Sequence, residues 1–192
     1  GPEDRDVDER CILGFNSGPP MLPGAYNNFV QLFQIPGHVA ILNEMVHDVR
    51  LVPLDNRPSL SSNIRQWMGD SRGRWEGDTL VIETTNFSPK FLYRDSAENR
   101  RLVERYTRID TETLAYEITI EDPSVWTTSW TVRQELKRQN NEENRIYYEP
   151  RCHEGNYGLA AMFIASRIRE KEFSEGRGPD PFSLDTTTGN GG

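Results

Sequence analysis

The chain has 192 residues, 30 of them acidic and 22 basic, for a formal charge of −8. That balance excludes a general nucleic-acid binder, which needs clustered Lys and Arg, and no apolar run reaches the roughly 20 residues of a membrane-spanning helix. Hydrophobic residues at 35%, with 4 Trp, 7 Tyr and 8 Phe, suffice for one packed domain and exclude wholesale disorder.

Residues 1–10 read as an acidic arm, and residues 11–28 as loop, with Ser17-Gly18-Pro19-Pro20, Leu22-Pro23-Gly24 and Asn27-Asn28 as its breaks. Strand patterns then begin. Phe29–Ile35 and His38–Glu44 flank Pro36-Gly37, a pair suited to the two central positions of a type II turn, and Val49–Leu54 continues the meander. Pro58 to Met68 reads as loop plus one short helix, with Ser61 or Ser62 as its cap ahead of Ile64 and Trp67. Gly73–Glu76 and Thr79–Thr85 flank Gly77-Asp78, a tight hairpin signal. Leu102–Arg108 and Leu114–Glu121 flank Asp110-Thr111-Glu112; in the second, Leu114, Tyr116, Ile118 and Ile120 alternate with smaller or charged residues. Trp130, Val132, Gln134 and Leu136 repeat the alternation, and Arg145–Glu149 returns after Asn140-Asn141. One helix is expected, capped by Asn156 and running from Tyr157 to about Glu172, with Leu159, Phe163, Ile164 and Ile168 on its apolar face.

Eight or nine strands joined by short turns, without βαβ alternation, predict a mostly β fold. The expected form is an antiparallel meander closing into a barrel-like (calycin-like) arrangement, or a sandwich, with the C-terminal helix packed on it. The domain spans 11–173, and the Gly/Pro/Thr-rich tail 174–192 has only Phe182 and Leu184 as apolar anchors, so it needs a partner to become ordered.

Candidate chemistry is sparse. The three histidines, His38, His47 and His153, lack metal-ligand spacing, so no metal and no cofactor is expected. Glu44, His47, His153 and Glu154 are the acid–base candidates should they meet at a barrel mouth, with Tyr26, Asn28, Arg50 and Arg74 as ligand-binding candidates. Ser71 lacks a nucleophile elbow. Gly73-Arg74-Trp75 matches the G-x-W of lipocalins in type, although it lies mid-chain, where a Trp plugging a barrel end is the simpler reading. The arginines from Arg100 to Arg108 are expected to pair with local carboxylates, and Trp126, Trp130, Tyr147 and Tyr148 to be core or interface anchors. Cys11 and Cys152 pair in an oxidising compartment and stay as thiols in a reducing one.

Three stretches occur together: Ile41-Leu42-Asn43-Glu44-Met45-Val46-His47-Asp48 after the Pro36-Gly37 hairpin, the run from Arg65 through Gly69-Asp70-Ser71-Arg72-Gly73-Arg74-Trp75-Glu76-Gly77-Asp78 to Val81, and Cys152-His153-Glu154-Gly155-Asn156-Tyr157. With them the chain resembles, over roughly residues 1 to 170, a large family of uncharacterised exported bacterial proteins. The resemblance implies a periplasmic or extracellular location, a longer N-terminus with an export signal, and Gly1–Arg5 as native sequence rather than a cleavage scar. It brings no activity and no catalytic residues. With export implied, the Cys11–Cys152 disulfide is the expectation. The leading functional expectation is a non-enzymatic subunit of a homo-oligomer or larger assembly, its two ends lying on neighbouring chains. The alternatives are an exported acid–base lyase or hydrolase working in the barrel mouth and, more weakly, a lipocalin-like carrier.

Overall fold

The computed structural model describes residues 1–140, 142 and 152–183. Its strands are β1 (Val30–Ile35), β2 (His38–Asn43), β3 (Val49–Pro53), β4 (Asp70–Glu76), β5 (Thr79–Thr85), β6 (Arg101–Arg108), β7 (Thr113–Glu121) and β8 (Trp130–Lys137), followed by the helix α1 (Tyr157–Ser174). The strands pair antiparallel with their sequence neighbours in two sheets, β1-β2-β3 and β4-β5-β6-β7-β8. The expected hairpins form: Ile35 pairs with His38 across Pro36-Gly37, and Glu76 with Thr79 across Gly77-Asp78. Gly37 and Gly77, with φ of +73° and +59°, take the left-handed conformation that these two-residue loops demand.

Alternation decides what faces inward. Val39, Ile41 and Val52 of the small sheet meet Leu80, Ile82, Leu102, Tyr106, Tyr116, Ile118 and Ile120 of the large one in a single core. Gly73 sits at the junction of the sheets, where a Cβ would lie 2.6 Å from Leu54 and 2.8 Å from Val52. Only glycine lets β3 come so close to β4.

The architecture is therefore mostly β with one C-terminal helix, but among the described residues neither sheet closes into a barrel. Among the described residues, β1 and β8 pair with nothing on their outer edges. The expected strand at Arg145–Glu149, together with Tyr147 and Tyr148, lies outside the described residues, as does the tail beyond Ser183. The short helix expected within Pro58–Met68 does not form. That segment forms turns at Ser62-Asn63 and Trp67-Met68 and is held by Asp70, which accepts from the Leu60 N–H at 2.8 Å, and by Asn86, which donates to the Leu60 and Ser61 carbonyls. Tertiary partners override its weak helical pattern. Strand β4 starts at Asp70, three residues earlier than expected.

The loop 11–28 is part of the core. Met21 is buried between the sheets, its N–H donating to the Tyr116 hydroxyl at 3.0 Å and its carbonyl accepting from Gln134 at 2.6 Å. The Cys11–Cys152 disulfide is present and links this loop to the start of α1. The helix itself departs from expectation. None of its residues is buried; its ties run to the N-terminal arm, through Arg5 donating to the Ser166 hydroxyl at 3.3 Å and Asn156 donating to the Glu9 carbonyl at 3.5 Å. Asn156 caps it as expected, accepting from the Leu159 N–H.

Candidate functional site

Among the described residues β1 and β8 do not meet, and nothing covers the inward face of β1 beyond Val30. Val30, Leu32 and Gln34, opposite Asn43, Ile41 and Val39 in register, line an open cleft of about 1440 Å³; Val30 also packs against the core, while Leu32 and Gln34 stay exposed. Its apolar walls include Leu22, Val39, Leu80, Tyr106, Leu114 and Leu136. Trp75, Asp78, Arg108 and Lys137 stand among its polar and aromatic lining, contributed by the β4–β5 and β6–β7 hairpins and by β8. Trp75 thus lines the cleft and remains half exposed, rather than plugging a barrel end.

Two asparagines give the cleft an unusual polar wall. Asn16 donates to the Tyr26 and Asn27 carbonyls and to Asn28, and Asn43 donates to the Ser17 carbonyl at 2.6 Å. Both side chains are buried and line the cleft, yet among the described residues no donor reaches either amide oxygen. A buried acceptor left unmatched costs on the order of 1–3 kcal/mol, and both oxygens are shut off from the solvent of the open cleft.

Beneath the cleft lies a closed polar network. Arg50 forks onto Glu104 across the two sheets at 2.5 and 2.9 Å, and the Tyr106 and Tyr116 hydroxyls donate to the same carboxylate at 3.0 and 2.9 Å. All four side chains are buried. Burial works against the Arg50 cation, but Glu104 outweighs it and holds the guanidinium more firmly protonated than in water. Burial first, and Glu104 second, push both tyrosine hydroxyls well above their ordinary range, so they act here as donors and not as acids. A second buried arginine, Arg100, is handled differently. Its guanidinium lies over the Phe87, Phe91 and Tyr93 rings at 4.2, 5.3 and 5.7 Å, and burial pushes its pKa down to about 10. Its Nη1 donates to the Ser96 carbonyl, while its Nε and Nη2 find no partner among the described residues.

The sequence candidates are dispersed. Asn28 alone lines the cleft, where it also bonds both backbone groups of Gly24. Tyr26 is exposed with its ring edge-on to Phe15 at 5.3 Å. Arg50 belongs to the buried network, and Arg74 is a surface partner of Glu76. Glu44 is buried and accepts from the Phe29 N–H at 3.2 Å, while His47 is exposed at the end of the same tight turn. Val46 and His47 hold that turn at φ of 58° and 46°, a left-handed conformation that costs a β-branched residue about 1–3 kcal/mol. Asp48 follows it, and burial raises its pKa despite Ser17, His47 and Gly14, which act in the opposite sense. His153 and Glu154 lie by the disulfide, where Glu154 borders a separate groove of about 350 Å³ with Asp8, Asn156 and Met162. Neither His47 nor His153 lines the cleft. Among the described residues, no cluster of three His, Cys, Asp or Glu residues is arranged to hold a metal.

Sequence reasoning missed Asn16, Asn43 and Tyr106. Tyr106 was within reach, since it lies on the inward phase of an alternating strand; the asparagines sit among turn residues, where they carry no distinguishing pattern. The chain is thus defined as a two-sheet antiparallel β protein with a cleft between its unpaired strands. Comparison with family models, with curated proteins and with solved structures finds no significant match.

Proposed function

We propose that this protein is an exported binding protein that holds a small, largely apolar molecule in the cleft between β1 and β8. The observation that carries this reading is the uncovered inward face of β1, which places Val30 and Leu32 on an open cavity. Cavities of ligand-binding size with apolar walls and a few convergent polar groups are the usual form of a small-molecule site. The charged groups of the cleft lining, Asp78, Arg108 and Lys137, favour a ligand with one polar end. The disulfide supports an oxidising compartment, periplasmic or extracellular. The test is a titration with 1-anilinonaphthalene-8-sulfonate followed by displacement with decanol. Saturable binding is expected, weakened at least tenfold by Gln34→Trp, which fills the cleft from an exposed position. Absence of saturable binding, or binding indifferent to Gln34→Trp, refutes the reading.

A second reading, a subunit of an assembly, is favoured by one specific observation: α1 is fully formed and has no buried residue.

A further inference from the structure

The outward faces of the two sheets differ in kind. On the large sheet Arg101 bridges Glu83 and Glu121, and Arg105 and Arg74 share Glu76, as expected of a face in water. On the small sheet the register places three outward rows side by side: Ile35–His38–Pro53, Phe33–Ala40–Leu51 and Gln31–Leu42–Val49. None of these nine positions is Asp, Glu, Lys or Arg, in a chain that is 27% charged. Phe33, Ile35, Val49 and Leu51 are 46–54% exposed. A contiguous apolar face of this kind marks an interaction surface.

The helix carries the complementary feature. At 100° per residue, Tyr157, Ile164 and Ile168 fall within about 40° of one another, with Ala161 beside them. This stripe lies opposite the half-buried side formed by Leu159, Met162, Phe163 and Ser166, the last of which meets Arg5 of the arm. Tyr157, Ile164 and Ile168 are 53–82% exposed. A helix apolar on both sides is ordinarily covered on both.

We propose that the Tyr157–Ile164–Ile168 stripe of one copy packs on the outward face of β1–β3 of a second copy, reciprocally, to form a two-fold dimer. This gives the assembly reading its surface and rests on that reading, independently of the cleft. The dimensions agree: the stripe spans about 16 Å at 1.5 Å per residue, and the three sheet rows span about 14 Å at 3.4 Å per residue. Each copy offers seven large apolar side chains exposing about 100 Å² each. The resulting area of roughly 700 Å² per copy is close to the ~800 Å² per partner of a stable interface. The sheet face and the helix stripe are different surfaces, so a two-fold axis buries both pairs at once.

Sedimentation equilibrium of the full chain tests this. A particle of twice 22.1 kDa is expected. Leu51→Glu and Ile164→Glu, both at exposed positions, should each weaken dimerisation at least a hundredfold while leaving circular dichroism unchanged. Mixing the two variants should restore dimers, because one of the two interfaces in the mixed pair is then free of substitutions. A dimer that tolerates Ile164→Glu, or variants that fail to rescue one another, overturns this interface while leaving assembly itself standing. A monomer at all concentrations, the outcome if α1 folds back on its own sheet, overturns both.

Discussion

Replacing Arg50 by methionine is the sharpest probe of the polar network beneath the cleft. Arg50 and Glu104 are buried and paired in two hydrogen bonds, so removing the cation strands a carboxylate in the core. Breaking a buried pair in this way costs about 3–5 kcal/mol. With a urea m-value of about 2.5 kcal/mol/M, the midpoint should fall by roughly 1–2 M. Glu104→Leu should cost at least as much, since it also strands the Tyr106 and Tyr116 hydroxyls. The double variant Arg50→Met/Glu104→Leu removes both charges and should lose well under the sum of the two single losses, with about 1–3 kcal/mol remaining for each tyrosine hydroxyl without an acceptor. Adding Tyr106→Phe should recover part of that remainder. Tyr116→Phe should not, because it orphans the Met21 N–H. Urea unfolding followed by tryptophan fluorescence, run as a double-mutant cycle, reads all of these. If Arg50→Met shifts the midpoint by less than about 0.3 M, or the two single losses simply add, the two side chains do not form the coupled pair described above.

Other outcomes follow from the same structure. Arg100→Met should stay within about 1 kcal/mol of the parent, because that guanidinium stacks on rings that a thioether also packs against and among the described residues no carboxylate pairs with it; a loss equal to that of Arg50→Met would contradict this. For Asp48 the folded state prefers the neutral acid, so its contribution to stability is fully present below the ordinary carboxylate range and is lost as pH rises through the raised folded pKa. Asp48→Asn should therefore melt higher than the parent at pH 7, with the difference shrinking toward pH 4; a difference independent of pH would show that Asp48 is not the group responsible. Removing the disulfide, by reduction or by Cys11→Ser/Cys152→Ser, should cost about 5 kcal/mol for a sequence separation of 141 on the chain-entropy model, readable as a lower urea midpoint. An unchanged midpoint in the reduced protein would place the stabilisation elsewhere.

The strands were legible wherever one face meets the core and the other meets water. In β7, Tyr116, Ile118 and Ile120 alternate with Glu117, Thr119 and Glu121, and the structure buries the first set. Residues whose role depends on a distant partner were not legible. Arg50, read as a ligand-binding candidate, lies on the inward phase of β3, and its partner Glu104 is 54 positions away. Met21 sits between prolines and glycines in what reads as loop, and its anchors come from β7 and β8. The cleft escaped for a similar reason. An inward strand face looks the same in sequence whether it is packed or left open, and it is the lack of pairing between β1 and β8 among the described residues that distinguishes the two.

The disulfide also decides how the molecule bears load. Cys11 and Cys152 bracket the eight described strands, so the β-domain hangs on a covalent ring closed at one sulfur–sulfur bond. Tension applied between the N-terminal arm and α1 enters and leaves at that bond and bypasses the sheets. Pulling the oxidised chain by these two ends stretches only the arm and the helix, whereas the reduced chain must unzip its strands. A protein held to its neighbours by α1 would in this way keep its cleft unstrained while its ends are pulled.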